Sequence, residues 1–170
     1  MIESVRIGGT DKSTLVSKLL CQDVQINEAA ETLLESDVLS TAPEPSILSV
    51  TVLTPKDFGL DEGGTIDEIY NAAILRGLAL CPLELALQMR LQYHDQPEGS
   101  EGRPETHGEA PPGSLTIASE WPDAGDDFPR GFYLRKINGK LSLRGFRAAR
   151  NHRWNAGDHF VFVRPDKVRE

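Results

Sequence analysis

The chain has 170 residues, 39% hydrophobic and 26% charged, which is typical of a globular protein and excludes a disordered one. No apolar run approaches the roughly 18 residues needed to cross a bilayer, and the N-terminus lacks a secretory pattern, so we expect a cytoplasmic protein without a membrane segment. The length predicts a single domain, residues 1–170, with its own hydrophobic core.

The formal net charge of −8 is unevenly distributed. Residues 1–129 contain 7 Lys and Arg against 23 Asp and Glu, whereas residues 130–170 contain 11 against 3. Such asymmetry can mark a nucleic-acid surface, or it can reflect two halves of one domain that attract each other. We favour the second interpretation, because the whole molecule would repel phosphate at long range.

The N-terminal half predicts helices and one strand. Thr10 or Asp11 can cap a first helix and Asn27 a second. Residues 46–53, SILSVTVL, predict a strand that Pro55 closes. The sequence GGTDKST superficially resembles a phosphate-binding loop, but it lacks the order G-x-x-x-x-G-K-[ST] and we expect no strand before it.

The middle of the chain contains the clearest helix start. The hydroxyl of Thr65 can accept from the amide of Glu68, whose carboxylate can reach back to the amide of Thr65, and Gly77 suits the left-handed closing position. Pro82 begins another helix. Beyond it, MRLQYHD alternates with the period of a strand, so residues 82–93 are either a helix followed by a strand or one helix.

The C-terminal half predicts antiparallel sheet. Residues 97–113 are rich in Pro, Gly and Glu and predict a flexible loop. Asn138-Gly139 predicts a hairpin with a type I′ turn, and the apolar run at 160–163 predicts a central strand. We therefore expect an α+β fold with four short, mostly N-terminal helices packed on a mostly antiparallel sheet of about five strands.

Several segments together resemble a known family. They are GGTIDEIYNAAILRGLAL, LCPLELALQMRLQYHDQP and WNAGDHFVFVRP. They resemble a family of small bacterial proteins of unassigned function, whose members read G-L-x-L-C-P, an acidic residue, L-R-L-Q-Y-x-D-Q-P, and then a tryptophan and F-V-F-V. Met89 and Ala86 depart from a more usual leucine and glycine. Some members are labelled helicase, yet this chain has no Walker loop.

The resemblance brings no chemistry and implies only that a group of polar side chains belong together. These are Arg90, Gln92, Tyr93, Asp95 and Gln96. Arg90 could hold a carboxylate or phosphate through two hydrogen bonds. The alternative is an internal network in which Arg90 pairs with an acid such as Asp95 or Glu84 and Gln92 holds a loop.

Other candidate sites are weaker. Cys81 precedes a helix but has no identifiable base, so we expect a buried structural thiol. Four histidines lack metal-ligand spacing, and carboxylates beside a serine could supply acid–base pairs only if the fold unites them. These residues are His94, His107, His152 and His159, then Ser119, Glu120, Asp123 and Asp126.

Four arginines of the C-terminal segment, interleaved with aromatic residues, could bind single-stranded RNA by stacking and phosphate contact. They are Arg144, Arg147, Arg150 and Arg153. The alternative is a solvated sheet edge that charge protects from association.

The leading hypothesis is a non-enzymatic cytoplasmic binding module for an unknown protein or small molecule, without catalytic residues, cofactor, metal or membrane contact. Its recognition corner would comprise the polar group around Arg90, with Trp154 nearby. The alternatives are a small hydrolase or transferase that uses loop carboxylates, and RNA binding through the basic segment, although we consider a nucleic-acid partner the less favoured.

Overall fold

A computed structural model of the protein describes residues 1–100 and 110–166. Within these residues it has four α-helices, α1 (Lys12–Cys21), α2 (Glu28–Glu35), α3 (Ile66–Leu75) and α4 (Leu83–Gln92). The strands are β1 (Ser4–Ile7), β2 (Gln25–Ile26), β3 (Ser46–Leu53), β4 (Gly64–Thr65), β5 (Leu115–Ile117), β6 (Gly131–Ile137), β7 (Lys140–Phe146), β8 (Arg153–Trp154) and β9 (His159–Arg164). No helix in the described ranges is long and apolar enough to cross a membrane.

The main sheet has seven strands in the order β1-β3-β9-β5-β6-β7-β2. Most neighbours are antiparallel, but β5 runs parallel to β9 and β2 parallel to β7. The α+β class is confirmed, whereas the prediction of about five strands is wrong. The missed strands include β1 and β2, which have four and two residues and are too short to show an alternating pattern.

The N-terminal capping predictions are confirmed. Asp11 accepts a hydrogen bond from the amide of Thr14, and Asn27 accepts from the amide of Ala30. Asn27 also exchanges two hydrogen bonds with the backbone of Gly145, which fixes α2 beside β7. The expectation that no strand precedes the GGTDKST segment is wrong, because β1 ends directly before it.

The region from Thr65 to Tyr93 contains the two helices α3 and α4. Thr65 caps α3 by accepting from the amide of Glu68 at 3.3 Å, and Gly77 has a φ of 80°. The alternation in MRLQYHD is misleading, since α4 runs continuously to Gln92. Its residues from 84 to 91 are all buried, so no polar face reveals the helical period.

The predicted hairpin is confirmed, with φ of 52° at Asn138 and 74° at Gly139. The strand over residues 160–163 is central, between β3 and β5. Of the predicted loop 97–113, residues 101–109 lie outside the described residues. In its described part, the Glu98 carboxylate accepts from the amides of both hairpin-turn residues at 2.9 and 2.6 Å.

The sheet separates two hydrophobic clusters. On one face α4 contacts β1 at one end of the sheet and β7 near the other, so the sheet curls around this helix. Phe160 and Phe162 project to the opposite face, where they pack with α3 and Trp154. Each face therefore has its own buried apolar layer, and the two faces hold different polar groups.

Candidate functional site

Arg90 lies at the centre of the α4 face and has no exposed surface. Its guanidinium donates to the side-chain oxygen of Gln96 at 2.7 Å and to the carbonyl of Tyr93, with longer contacts of 3.4 Å to the carbonyls of Arg135 and Ser142. Burial lowers the pKa of Arg90 to about 10, which leaves the side chain protonated at neutral pH. Carbonyl and amide oxygens thus occupy both terminal nitrogens of the guanidinium, while its buried Nε has no partner among the described residues.

Two further polar residues of α4 bind the backbone at the start of the chain. Gln92 accepts from the amide of Arg6 at 2.9 Å and donates to its carbonyl at 2.8 Å, in the manner of an adjacent strand. Glu84, which is 1% exposed, accepts from the amides of Gly8 and Ala42, both at 2.8 Å. Among the described residues β1 has no strand partner on its outer side, where Gln92 pairs with the backbone of Arg6 and Glu84 with the loop that follows.

The structure does not place the six predicted recognition residues on one surface. Arg90, Tyr93 and Gln96 are buried together, and Gln92 reaches β1. Asp95 is exposed and forms no recorded bond with Arg90 among the described contacts. Trp154 lies in the hydrophobic cluster of the opposite sheet face. This placement favours the internal network for Arg90 and leaves Trp154 as a separate candidate.

Trp154 lines a cavity of about 240 Å³ on the face opposite α4. We call this cavity the aromatic pocket; its principal lining residues are Ser114, Thr116, Tyr133, Phe146, His152 and Trp154. The strand register builds its floor, because Thr116 is opposite Tyr133, and Tyr133 is opposite Arg144, two residues before Phe146. Side chains two apart along a strand share a face, so these residues converge although they are distant in sequence.

The wall of the aromatic pocket is rigidly supported. Trp154 pairs with Gly64 between β8 and β4, and a methyl group on Gly63 would overlap the carbonyl oxygen of Trp154. The indole packs edge-on against Phe146 and Phe160, with ring centres 5.5 and 5.1 Å apart. The Gly-Gly pair at 63–64 therefore serves the close approach of the tryptophan backbone.

Only 6% of Trp154 is exposed, and its indole Nε1 is buried without a hydrogen-bond partner in the described part of the chain. A buried donor without an acceptor costs about 1–3 kcal/mol, so native proteins rarely keep one without a reason. Trp154 was predicted from the sequence as a recognition residue, whereas Thr116 and Tyr133 were not. Period-two alternation in their strands was a usable signal for a shared face, but the strand order that unites them was not evident.

The basic segment around the pocket is paired with the acidic part of the chain. Of the four candidate arginines, Arg147 contacts Glu28 at 2.9 Å, Arg150 approaches Asp67 at 3.6 Å and Arg153 approaches Glu68 at 4.0 Å. The pairing with Arg147 lowers the pKa of Glu28. These contacts agree with the interpretation that the oppositely charged halves attract each other.

The fourth arginine behaves differently. Arg144 donates from Nε to the hydroxyl oxygen of Tyr133 at 3.0 Å and forms no recorded ion pair within the described ranges. Tyr133 accepts in this bond, so its own proton is free to be donated. The positively charged Arg144 is therefore hydrogen-bonded to a hydroxyl group that lines the aromatic pocket.

A second, open cleft of about 620 Å³ brings together several residues considered for catalysis. Ser119, Glu120 and Asp123 line it with Cys81, whereas no histidine does so among the described residues. The Cys81 thiol donates to the carbonyl of Val161 at 3.2 Å, and burial raises its pKa far above the ordinary value. These properties suit a structural thiol rather than a nucleophile.

The histidines do not form a metal centre in the part of the chain that the structure covers, where no three His, Cys, Asp or Glu side chains cluster. His94 contacts the side chain of Gln22 at 3.2 Å, and His152 packs edge-on against Trp154 with ring centres 5.1 Å apart. His107 lies outside the described residues. His152 thus contributes to the aromatic pocket as a ring.

No protein-family model, curated protein or solved structure matches this chain. The segments that carry the sequence resemblance nevertheless meet in space. Gly64 pairs with Trp154, Ala79 exchanges two backbone bonds of 2.9 Å with Val163, and Cys81 bonds Val161. Their contacts maintain the fold, so the shared motif describes a scaffold; membership in the family stays a prediction.

Proposed function

We propose that this protein is a non-enzymatic binding module and that the aromatic pocket holds its ligand. The observation that carries the proposal is the aromatic pocket itself, a cavity of about 240 Å³ walled by Trp154 and Phe146 and lined by several hydroxyl groups. Binding sites typically combine apolar and aromatic walls with a few polar groups, and this pocket has both. Arg90, in contrast, already donates to Gln96 and Tyr93 through its two terminal nitrogens, and only its buried Nε has no partner among the described residues.

The size of the pocket limits its ligand. Drug-sized ligands occupy sites of about 300–1,000 Å³, so a cavity of about 240 Å³ suits a compound of one or two rings. We infer a cytoplasmic location because Cys21 and Cys81 are both free thiols, as a reducing compartment would maintain them.

A pocket-filling substitution tests this function. Ala148 lines the pocket, so Ala148→Leu should occupy its volume, whereas Ala124→Leu makes the same change in an exposed turn. We expect fragments of one or two aromatic rings to give saturation-transfer NMR signals with the wild type and Ala124→Leu, and none with Ala148→Leu. Matching melting temperatures would show that all three are folded. Equal signals from Ala148→Leu would refute the pocket as the binding site.

A small hydrolase is the second candidate, because Glu120 and Asp123 line one cleft beside the buried Ser119. Two carboxylates at a common cleft could divide the roles of acid and base. The test is hydrolysis of a panel of esters and phosphate esters by the wild type and by Glu120→Gln. Turnover that is equal in both would remove Glu120 from any mechanism.

A further inference from the structure

The polar groups around the aromatic pocket share one property: they can all donate hydrogen bonds. The described lining contains the Trp154 indole, the hydroxyls of Ser114, Thr116 and Tyr133, the His152 ring and the Arg147 guanidinium, and it contains no Asp or Glu. Arg147 is committed to Glu28 through two hydrogen bonds of 2.9 and 3.1 Å. Hydroxyl groups also accept hydrogen bonds, but a lining without a carboxylate favours a ligand that carries acceptors over a cation.

Charge complementarity narrows the chemical class of the ligand further, to one with a negative charge. Arg144 is half-buried and donates a hydrogen bond to the Tyr133 hydroxyl oxygen. No carboxylate pairs with Arg144 among the described residues. A hydroxyl that accepts from a guanidinium becomes a stronger donor, because hydrogen bonds in a chain polarise one another. An anionic acceptor on Tyr133 would place its charge near Arg144, whose guanidinium has no carboxylate partner in the described ranges.

The aromatic walls of the pocket favour a ligand that has a planar apolar ring. Trp154 and Phe146 meet edge-to-face, and the His152 ring is edge-on to the same indole. Aromatic rings favour edge-to-face or offset contacts with a further ring, worth about 0.5–1.5 kcal/mol beyond the burial of area. A ring that bears an acidic group would satisfy both the walls and the donors.

We propose that the aromatic pocket binds a small aromatic carboxylate, with the ring against Trp154 and Phe146 and the carboxylate on the Tyr133 hydroxyl. This inference rests on the proposed binding function and adds the ligand's charge and shape. Arg144 acts through Tyr133 by holding the hydroxyl oxygen, so that its proton is directed to the ligand.

Two probes of the same shape test the charge. 1-Naphthoate and 1-naphthamide differ at neutral pH in charge while their ring system is the same, and calorimetric titration gives a Kd for each. We expect the wild type to prefer naphthoate by about tenfold, since a charge-assisted hydrogen bond is roughly twice as strong as a neutral one. Tyr133→Phe, which removes only the hydroxyl, should abolish this preference by weakening the binding of naphthoate more than that of naphthamide.

The outcomes separate the two proposals. If both probes bind the wild type equally, the carboxylate inference is overturned while the pocket function survives. If neither binds, both are overturned. Arg144→Met is the second variant, and it should reduce the preference for naphthoate without the loss of naphthamide binding that a collapsed pocket would cause. An unchanged preference in both variants would also overturn the role given to Tyr133.

Discussion

Replacing Arg90 with methionine should remove a large part of the protein's free energy of unfolding. Methionine keeps a long apolar stem but removes every donor, and leaves the carbonyl of Tyr93 and the side-chain oxygen of Gln96 without their buried partner. Each orphaned acceptor costs about 1–3 kcal/mol, and the two weaker contacts at 3.4 Å add little. We expect a loss of about 3–5 kcal/mol, which is large against a typical total of about 5–15 kcal/mol.

Urea denaturation followed by tryptophan fluorescence measures this loss. The midpoint should fall for Arg90→Met while the slope with denaturant stays constant, because the surface exposed on unfolding hardly changes. Arg6→Met is the matched control, since Arg6 is exposed and uses only its backbone to bond Gln92. A stability of Arg90→Met within about 1 kcal/mol of the wild type would refute the structural role, because the predicted loss is several times larger.

Three further variants test other parts of the framework. Gly63→Ala should destabilise the protein far more than Gly59→Ala in thermal melts, because both residues have positive φ but only Gly63 faces the Trp154 carbonyl; equal losses would contradict this. Glu84→Gln should lower the free energy of unfolding in urea by about 1–3 kcal/mol, since the two amide positions cannot both accept from backbone N–H groups as the two carboxylate oxygens do, and an unchanged free energy would exclude that clamp. Hydrogen bonds from the backbone amide and the hydroxyl of Thr54 lower the pKa of Asp57, so the stability that they add is present above the ordinary value near 3.8 and disappears as pH falls through the folded pKa; Asp57→Asn should flatten this acid limb in pH-dependent melts.

Local chemistry allowed much of the secondary structure to be predicted. The caps at Asp11, Asn27 and Thr65 each use a side-chain oxygen within three residues of its partner, so the sequence alone contains the interaction. The Asn138-Gly139 turn is equally local. Such features do not depend on which strands become neighbours, and they were predicted for that reason.

Features that depend on distant neighbours were not predicted. β2 has two residues and exists through its parallel pairing with β7, which is more than a hundred residues away. The aromatic pocket has the same origin, since Thr116, Tyr133 and Trp154 come from three strands. The helix α4 was obscured because polar residues such as Arg90 are buried among apolar ones, which hides the usual amphipathic period.

The polar side chains of α4 have a common physical cause. A sheet that curls around a helix brings strand ends and loop amides against it, and these backbone groups need partners away from water. Glu84 binds the loop after β1, Gln92 binds β1 itself, and Arg90 binds the turn that follows α4. Each of these side chains reaches its partner only when α4 lies at one place against the sheet, so together the three contacts fix the placement of the helix. A ligand at this face would have to break those bonds, whereas a ligand in the aromatic pocket on the opposite face would leave them intact.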